Sequence, residues 1–130
     1  MNFLTELEKK HIIQNSNRVL KQIKLPIRYE QSNFQSSFDS SKDANYSDWK
    51  EYWCTIEKIT RLKTKKYKFA EVQEGDIIIY FPSDTDLNLE AQKYEIQFMN
   101  DIYKSEFKPQ PYDILVDRVI SYMLVGELND

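Results

Sequence analysis

Lys93-Tyr94-Glu95-Ile96-Gln97-Phe98 alternates polar with large apolar side chains, and Asn100-Asp101 follows almost at once. Successive side chains on a strand point to opposite faces, so Tyr94, Ile96 and Phe98 share one face and Lys93, Glu95 and Gln97 the other. This run predicts a strand with one face in a core and one in water. Asn and Asp tolerate positive φ, so Asn100-Asp101 predicts the turn of a two-residue hairpin.

Working outward, Ile77-Ile78-Ile79-Tyr80-Phe81 has no polar face and reads as a central strand covered on both sides. Further strands are expected at Tyr52 to Arg61, Tyr67 to Val72, Ile102 to Phe107, Tyr112 to Val116 and Val119 to Val125, with a second turn at Asp117-Arg118. Short connections between them predict an antiparallel meander that closes into a small barrel or sandwich over 49–130. Before it, Phe3, Leu4, Leu7, Ile12, Ile13, Val19, Leu20 and Ile23 recur at helical spacing, which predicts an amphipathic helix within 1–25 ending before Pro26. Asn15-Ser16-Asn17 is poor helix chemistry and marks a place for that helix to break.

Residues 31–48, QSNFQSSFDSSKDANYSD, read as a polar loop or extended arm. A structureless connection of this length inside one domain is usually either functional or disordered until bound, so the stretch reads as a contact arm or as a mobile surface loop. Phe34, Phe38 and Tyr46 have no place in the barrel pattern and are the candidate partner-binding anchors, since aromatic side chains dominate interface energy. The whole predicts one mainly β domain, 1–130, with an N-terminal helix and a long polar arm.

Composition narrows the function. The net charge of −3 and pI near 5.3 give no general electrostatic grip on nucleic acid or an anionic membrane. Ile77 to Phe81 is the longest apolar run, far below the roughly 20 residues of a membrane helix, and the first ten residues mix acidic with apolar side chains, unlike a signal peptide. No membrane contact is expected. A single cysteine, Cys54, permits no intramolecular disulfide and suits a reducing compartment.

Catalytic chemistry finds few footholds. The one histidine, His11, falls within the predicted helix without an evident partner for base catalysis. One His and one Cys cannot furnish a structural zinc tetrahedron. Asp76, Asp84, Asp86 and Glu90 offer oxygen ligands, yet Asp84-Thr85-Asp86 lacks the Gly and distal Glu of an EF-hand loop. Gly75 and Gly126 stand too far apart for a phosphate-binding loop. The expectation is a protein that is not an enzyme and takes no metal or cofactor.

Two charged stretches remain. Lys58, Arg61, Lys63, Lys65, Lys66 and Lys68, interleaved with Leu62, Tyr67 and Phe69, form the one basic stretch, which reads as a solvated turn or as a patch for a neighbouring subunit or nucleic acid. Glu71, Glu74, Asp76, Asp84, Asp86 and Glu90 follow as an acidic stretch. Subunits packed side by side can present one to the other.

From Val72 onward, Val72-Gln73-Glu74-Gly75-Asp76 leads into an apolar strand, a polar loop and the alternating strand. Lys108-Pro109-Gln110-Pro111-Tyr112-Asp113 follows, and a last hairpin ends in Tyr122-Met123-Leu124-Val125. This order resembles the small β-barrel head-closure or head–tail joining connectors of tailed bacteriophages. The resemblance covers the C-terminal half and implies a subunit of a ring in the virion neck, assembled in the host cytoplasm. Its partners would be portal or adaptor and tail proteins, with DNA passing through the channel without sequence-specific binding. It implies that the arm grips a neighbour and that the loop with Asp84, Asp86 and Glu90 faces the DNA channel. The alternative is an RNA-binding barrel similar to ASCH or PUA-like domains, using Lys63, Lys65, Lys66 and Tyr67. A third reading is a hydrolase with a metal at Asp84 and Asp86.

Overall fold

Thr5 opens the first element: its hydroxyl accepts from the Glu8 amide at 3.1 Å, and the Glu8 carboxylate accepts in return from the Thr5 amide. This capping box satisfies two amide donors that would otherwise be orphaned. The computed structural model describes residues 5–31, 46–60, 72–115 and 117–128. Within them helix α1 (Glu6–Leu20) precedes strands β1 (Ile23–Tyr29), β2 (Lys50–Lys58), β3 (Ile77–Pro82), β4 (Tyr94–Phe98), β5 (Asp101–Ser105), β6 (Gln110–Leu115) and β7 (Arg118–Leu128).

The strands close a six-stranded antiparallel barrel in the cyclic order β1-β2-β3-β7-β5-β4, and β6 is an extra strand beside β7. β7 is long enough to serve three partners. One edge pairs with β3 from Ser121 to Gly126, while the other pairs with β6 near its start and with β5 at Glu127 and Leu128. Gly126 sits where they meet: a Cβ there would lie 3.0 Å from Ile77 Cγ1 and 3.1 Å from Tyr103 Cβ. The fold is therefore the barrel of the two predicted alternatives, and its closure departs from a simple meander. β4 pairs with β1 as well as β5, and β3 with β7 as well as β2.

Leu25, Ile27, Tyr52, Cys54, Ile77, Ile79, Phe81, Tyr94, Ile96, Tyr103 and Leu124 fill the interior. The other face of β3 and β7 is buried too, by Ile78, Met123 and Val125 with Ile59 and Val72. Ile77–Phe81 is thus covered on both sides, as its uniform apolarity requires.

Three expectations are corrected. The helix stops at Leu20 and runs through Asn15-Ser16-Asn17 without a break, because Asn17 is buried and its Oδ1 accepts from the Ser83 amide and hydroxyl, both at 2.9 Å. The chain joins the barrel at Ile23, well before Trp49, with Leu25 and Ile27 inside. The hairpin turn is Met99-Asn100 (φ 50° and 69°), one residue earlier than expected, since Phe98 pairs with Asp101; likewise Arg118 pairs with Leu115 and belongs to β7. Of the strand expected at Tyr67 to Val72, residues 67–71 lie outside the described residues and Val72 is buried outside any strand.

The Gly75-Asp76 step behaves as its chemistry suggests. Gly75 adopts φ 96°, and the Asp76 carboxylate accepts from the Gln73 amide at 2.9 Å. The Gly75 amide donates to the Ile59 carbonyl and the Ile59 amide to the Asp76 carbonyl. These bonds tie the start of β3 to the end of β2.

Candidate functional site

α1 lies against the outer faces of β3 and β7, and polar contacts hold it there. Lys9, almost fully buried, reaches Glu6 at 3.3 Å and Asp117 at 3.7 Å, while Glu6 also pairs with Arg118. Farther along, Asn17 binds Ser83, and the Leu20 carbonyl accepts from the Thr55 hydroxyl at 2.8 Å. The two buried residues of the helix, Lys9 and Asn17, are thus both polar. Its apolar side chains are left short of the barrel: Ile12 is 37% and Val19 60% exposed.

Between helix and barrel runs an apolar groove of about 520 Å³, lined by Ile12, Val19, Leu20, Tyr80, Tyr112 and Ile120. Tyr112 meets Tyr80 edge-on at 4.9 Å yet remains 52% exposed, and Ile114 beside it on β6 is 57% exposed. An exposed apolar patch of this kind marks an interaction surface more often than an accident of packing. Among the described residues β6 pairs with β7 alone, but Pro111 and two register shifts blunt its outer edge against strand addition. The groove accepts side chains; the edge discourages a backbone.

On the opposite wall, the base of the arm is fastened to β1. Tyr46 bridges Glu30, and the Ser47 amide donates to the Tyr29 carbonyl at 2.8 Å. The Arg28 guanidinium lies over the rings of Tyr46 (4.8 Å) and Trp49 (4.7 Å) while pairing with Glu95 at 2.5 Å. Lys104 stands 3.8 Å from the same carboxylate. Burial, and next the charges of Glu95 and Glu30, push the Tyr46 hydroxyl above its ordinary pKa. Tyr46 therefore packs on its own barrel, whereas Phe34 and Phe38 lie outside the described residues. Arg28, Trp49 and Glu95 were not singled out in the sequence: Arg28 and Glu95 are 67 positions apart and meet only because β1 and β4 pair.

Each candidate acidic residue of the loop after β3 has a lysine. Asp84 pairs with Lys21 at 2.9 Å, Asp86 with Lys50 at 2.7 Å and Glu90 with Lys108 at 3.5 Å. The Lys50 contact holds the Asp86 carboxyl below its ordinary range. Arg61, Lys63, Lys65, Lys66 and Lys68 lie outside the described residues, but the connection carrying them leaves β2 and enters β3 at the end of the barrel near the β4–β5 turn. The acidic loop joins β3 to β4 at the other end.

Cys54 is buried in the barrel, and burial pushes its thiol up to about 12, which keeps it protonated and unreactive at neutral pH. His11 lies exposed on α1. Among the described residues no three His, Cys, Asp or Glu gather as metal ligands, and no helix is long and apolar enough to cross a membrane. Comparison with protein-family models, curated proteins and solved structures finds no match.

Proposed function

We propose that this chain is a non-enzymatic structural subunit that assembles with other proteins, and that its place is a virion neck, as one copy in a ring between portal and tail. A barrel alone admits many functions, so the weight falls on the site. The observation that carries the reading is the groove beside α1, an apolar cleft beside a helix held by polar tethers and lined by exposed Val19 and Tyr112. It offers shape and apolar area to a partner, with Asn15, Ser16, Asp113 and Ser121 as its polar lining. The order of parts from Val72 onward, similar to phage connector barrels, supports the setting. The lysine partners of Asp84, Asp86 and Glu90 offset much of that loop's charge, so in a DNA channel it would repel the duplex only mildly.

One feature favours the RNA-binding alternative: exposed Trp53 with the Lys24 ammonium 4.9 Å from its ring, a pairing that can stack a base beside a cation. A native pull-down separates the two, scored by mass spectrometry for proteins and by ultraviolet absorbance for nucleic acid. Portal and tail proteins in ring stoichiometry are the expected recovery; RNA without them would replace the neck reading with the RNA-binding one.

A further inference from the structure

We infer that the groove beside α1 seats a lysine or arginine of a partner protein, carried on an amphipathic helix whose apolar side chains fill the rest of the cleft. This rests on the assembly reading and names the chemistry of the occupant.

Strand geometry comes first. Pro111 pairs with Tyr122 and Asp113 with Ser121, so Tyr112 is an extra residue on β6; Ile114 then pairs with Val119, so Ile120 is an extra residue on β7. On a regular strand neighbouring side chains point to opposite faces, and a bulge re-aims one of them. Here both neighbours line the groove on each strand, Tyr112 with Asp113 and Ile120 with Ser121. An aromatic ring and a carboxylate are thereby brought side by side in one apolar cleft.

The second observation is a hydroxyl. Ser121 is only 4% exposed, and among the described residues its Oγ has no hydrogen-bond partner. Buried polar groups are nearly always bonded, and leaving one unbonded is costly. Its register partner Asp113 lies beside it, with Cβ atoms about 5 Å apart, and the Asp113 carboxylate likewise has no ion pair or hydrogen bond among the described residues. One cation can donate N–H bonds to both while its alkyl stem lies on Tyr112 and Ile120. The Tyr112 ring, edge-on to Tyr80 and half exposed, adds a π-face for the charge. Carboxylate, hydroxyl and ring together select an ammonium or guanidinium over an anion.

The surroundings agree in charge and shape. Among the described residues no Lys, Arg or His lines the cleft, and the Tyr80 hydroxyl donates to a second carboxylate, Glu57, at 3.3 Å. Glu8 precedes Ile12 by four residues on the same helical face, while Arg18 is engaged by Asn15 Oδ1 at 3.3 Å. Val19 and Tyr112 remain largely exposed, so a small ligand would keep much of its surface in water, where a small-molecule pocket buries roughly 70–90% of it. A side chain carried on a partner has no such need. Ile12 and Val19 are seven positions apart, the spacing at which one helix packs along another, and the blunted β6 edge disfavours an added strand.

The test follows fluorescence anisotropy of labelled peptides titrated with the full chain. The peptides are about 15 residues long and alanine-rich to favour helix, with leucines at heptad spacing and either Lys or Glu at the central groove-facing position. The Lys peptide is expected to bind about 10-fold more tightly than the Glu peptide, and Asp113→Lys to invert that order. Val19→Arg, at an exposed site, should weaken the Lys peptide by about 10-fold or more and keep the wild-type melting temperature. Ser121→Ala isolates the hydroxyl: it should cost the Lys peptide about 3-fold or more with the melting temperature equal or higher, since the described fold gives that group no bond. Equal binding of the two peptides, binding by neither, binding indifferent to Val19→Arg, or a Ser121→Ala that melts lower with affinity unchanged would each overturn the inference. So would sedimentation velocity in which wild type self-associates and Val19→Arg does not, because the occupant would then be a second copy. Portal and tail proteins recovered equally by wild type and Val19→Arg would sink this site and leave the neck reading standing. Lys-selective binding with no portal or tail protein recovered would sink the neck reading alone.

Discussion

The barrel interior and the α1 flank are both lined with large apolar side chains, yet only the interior is sealed. Ile77, Ile79, Phe81 and Ile96 are fully buried, because each closed-barrel strand sends every second side chain into the same space. Ile12, Val19 and Tyr112 are no less apolar but stay partly exposed, because α1 is held at distances set by Lys9, Asn17 and Thr55. Apolar packing fixes the first region. Polar tethers fix the second and leave apolar surface over, which is what a docking face needs.

The largest test of that contrast is truncation on each side. Phe81→Ala should cost about 3–5 kcal/mol in urea unfolding, as expected for a ring removed from a packed core. Ile12→Ala on the groove should cost less than about 1 kcal/mol. Equal costs would mean that the groove is part of the core and the contrast is false.

A smaller effect comes from titrating the interior. An unfolded thiol ionises near 9, whereas buried Cys54 holds its proton to about 12. Between those values the unfolded chain binds fewer protons than the folded one, so stability is full below pH 9 and falls as pH rises. At 1.36 kcal/mol per unit, the loss at pH 10.5 is about 2 kcal/mol. Burial also raises the Tyr94 hydroxyl above its ordinary 10.0, so Cys54→Ala should shift the onset of alkaline loss upward by about one pH unit rather than abolish it. Melting temperatures at pH 8 and 10.5 for wild type and variant check this; parallel curves would show that the thiol is not sealed in.

What could be read beforehand divides along the same line. Period-two alternation in Lys93 to Phe98 and the unbroken run Ile77 to Phe81 report directly on the interior, because each side chain's environment follows from its own strand. The turn chemistry of Gly75-Asp76 is equally local. β1 carried the same signal, Ile23, Leu25, Ile27 and Tyr29 alternating with Lys24, Pro26 and Arg28, but Pro26 read as the stop after a helix. Nothing local announces that β3 pairs with β7 or β1 with β4; those pairings exist because the sheet closes. The groove depends on contacts such as Asn17 with Ser83, 66 positions apart. The residue that looked like a helix breaker is one of its anchors, for the same reason in both cases: its amide competes for backbone groups, here those of another loop.

That anchor supplies the smallest and most pointed test. Asn17→Ala removes the acceptor shared by the Ser83 amide and hydroxyl, leaving a partly buried amide without its bond, at a cost of about 1–2 kcal/mol. Val19→Ser, two residues on but facing the groove, should stay within about 0.5 kcal/mol. Limited proteolysis adds a local readout, since a helix released from its tether should be cut faster in Asn17→Ala at a temperature where the barrel is still folded. If Asn17→Ala is as harmless as Val19→Ser, apolar contact rather than Asn17 holds the helix. The groove would then be a seam that closes when the helix settles, with no standing room for a neighbour's side chains.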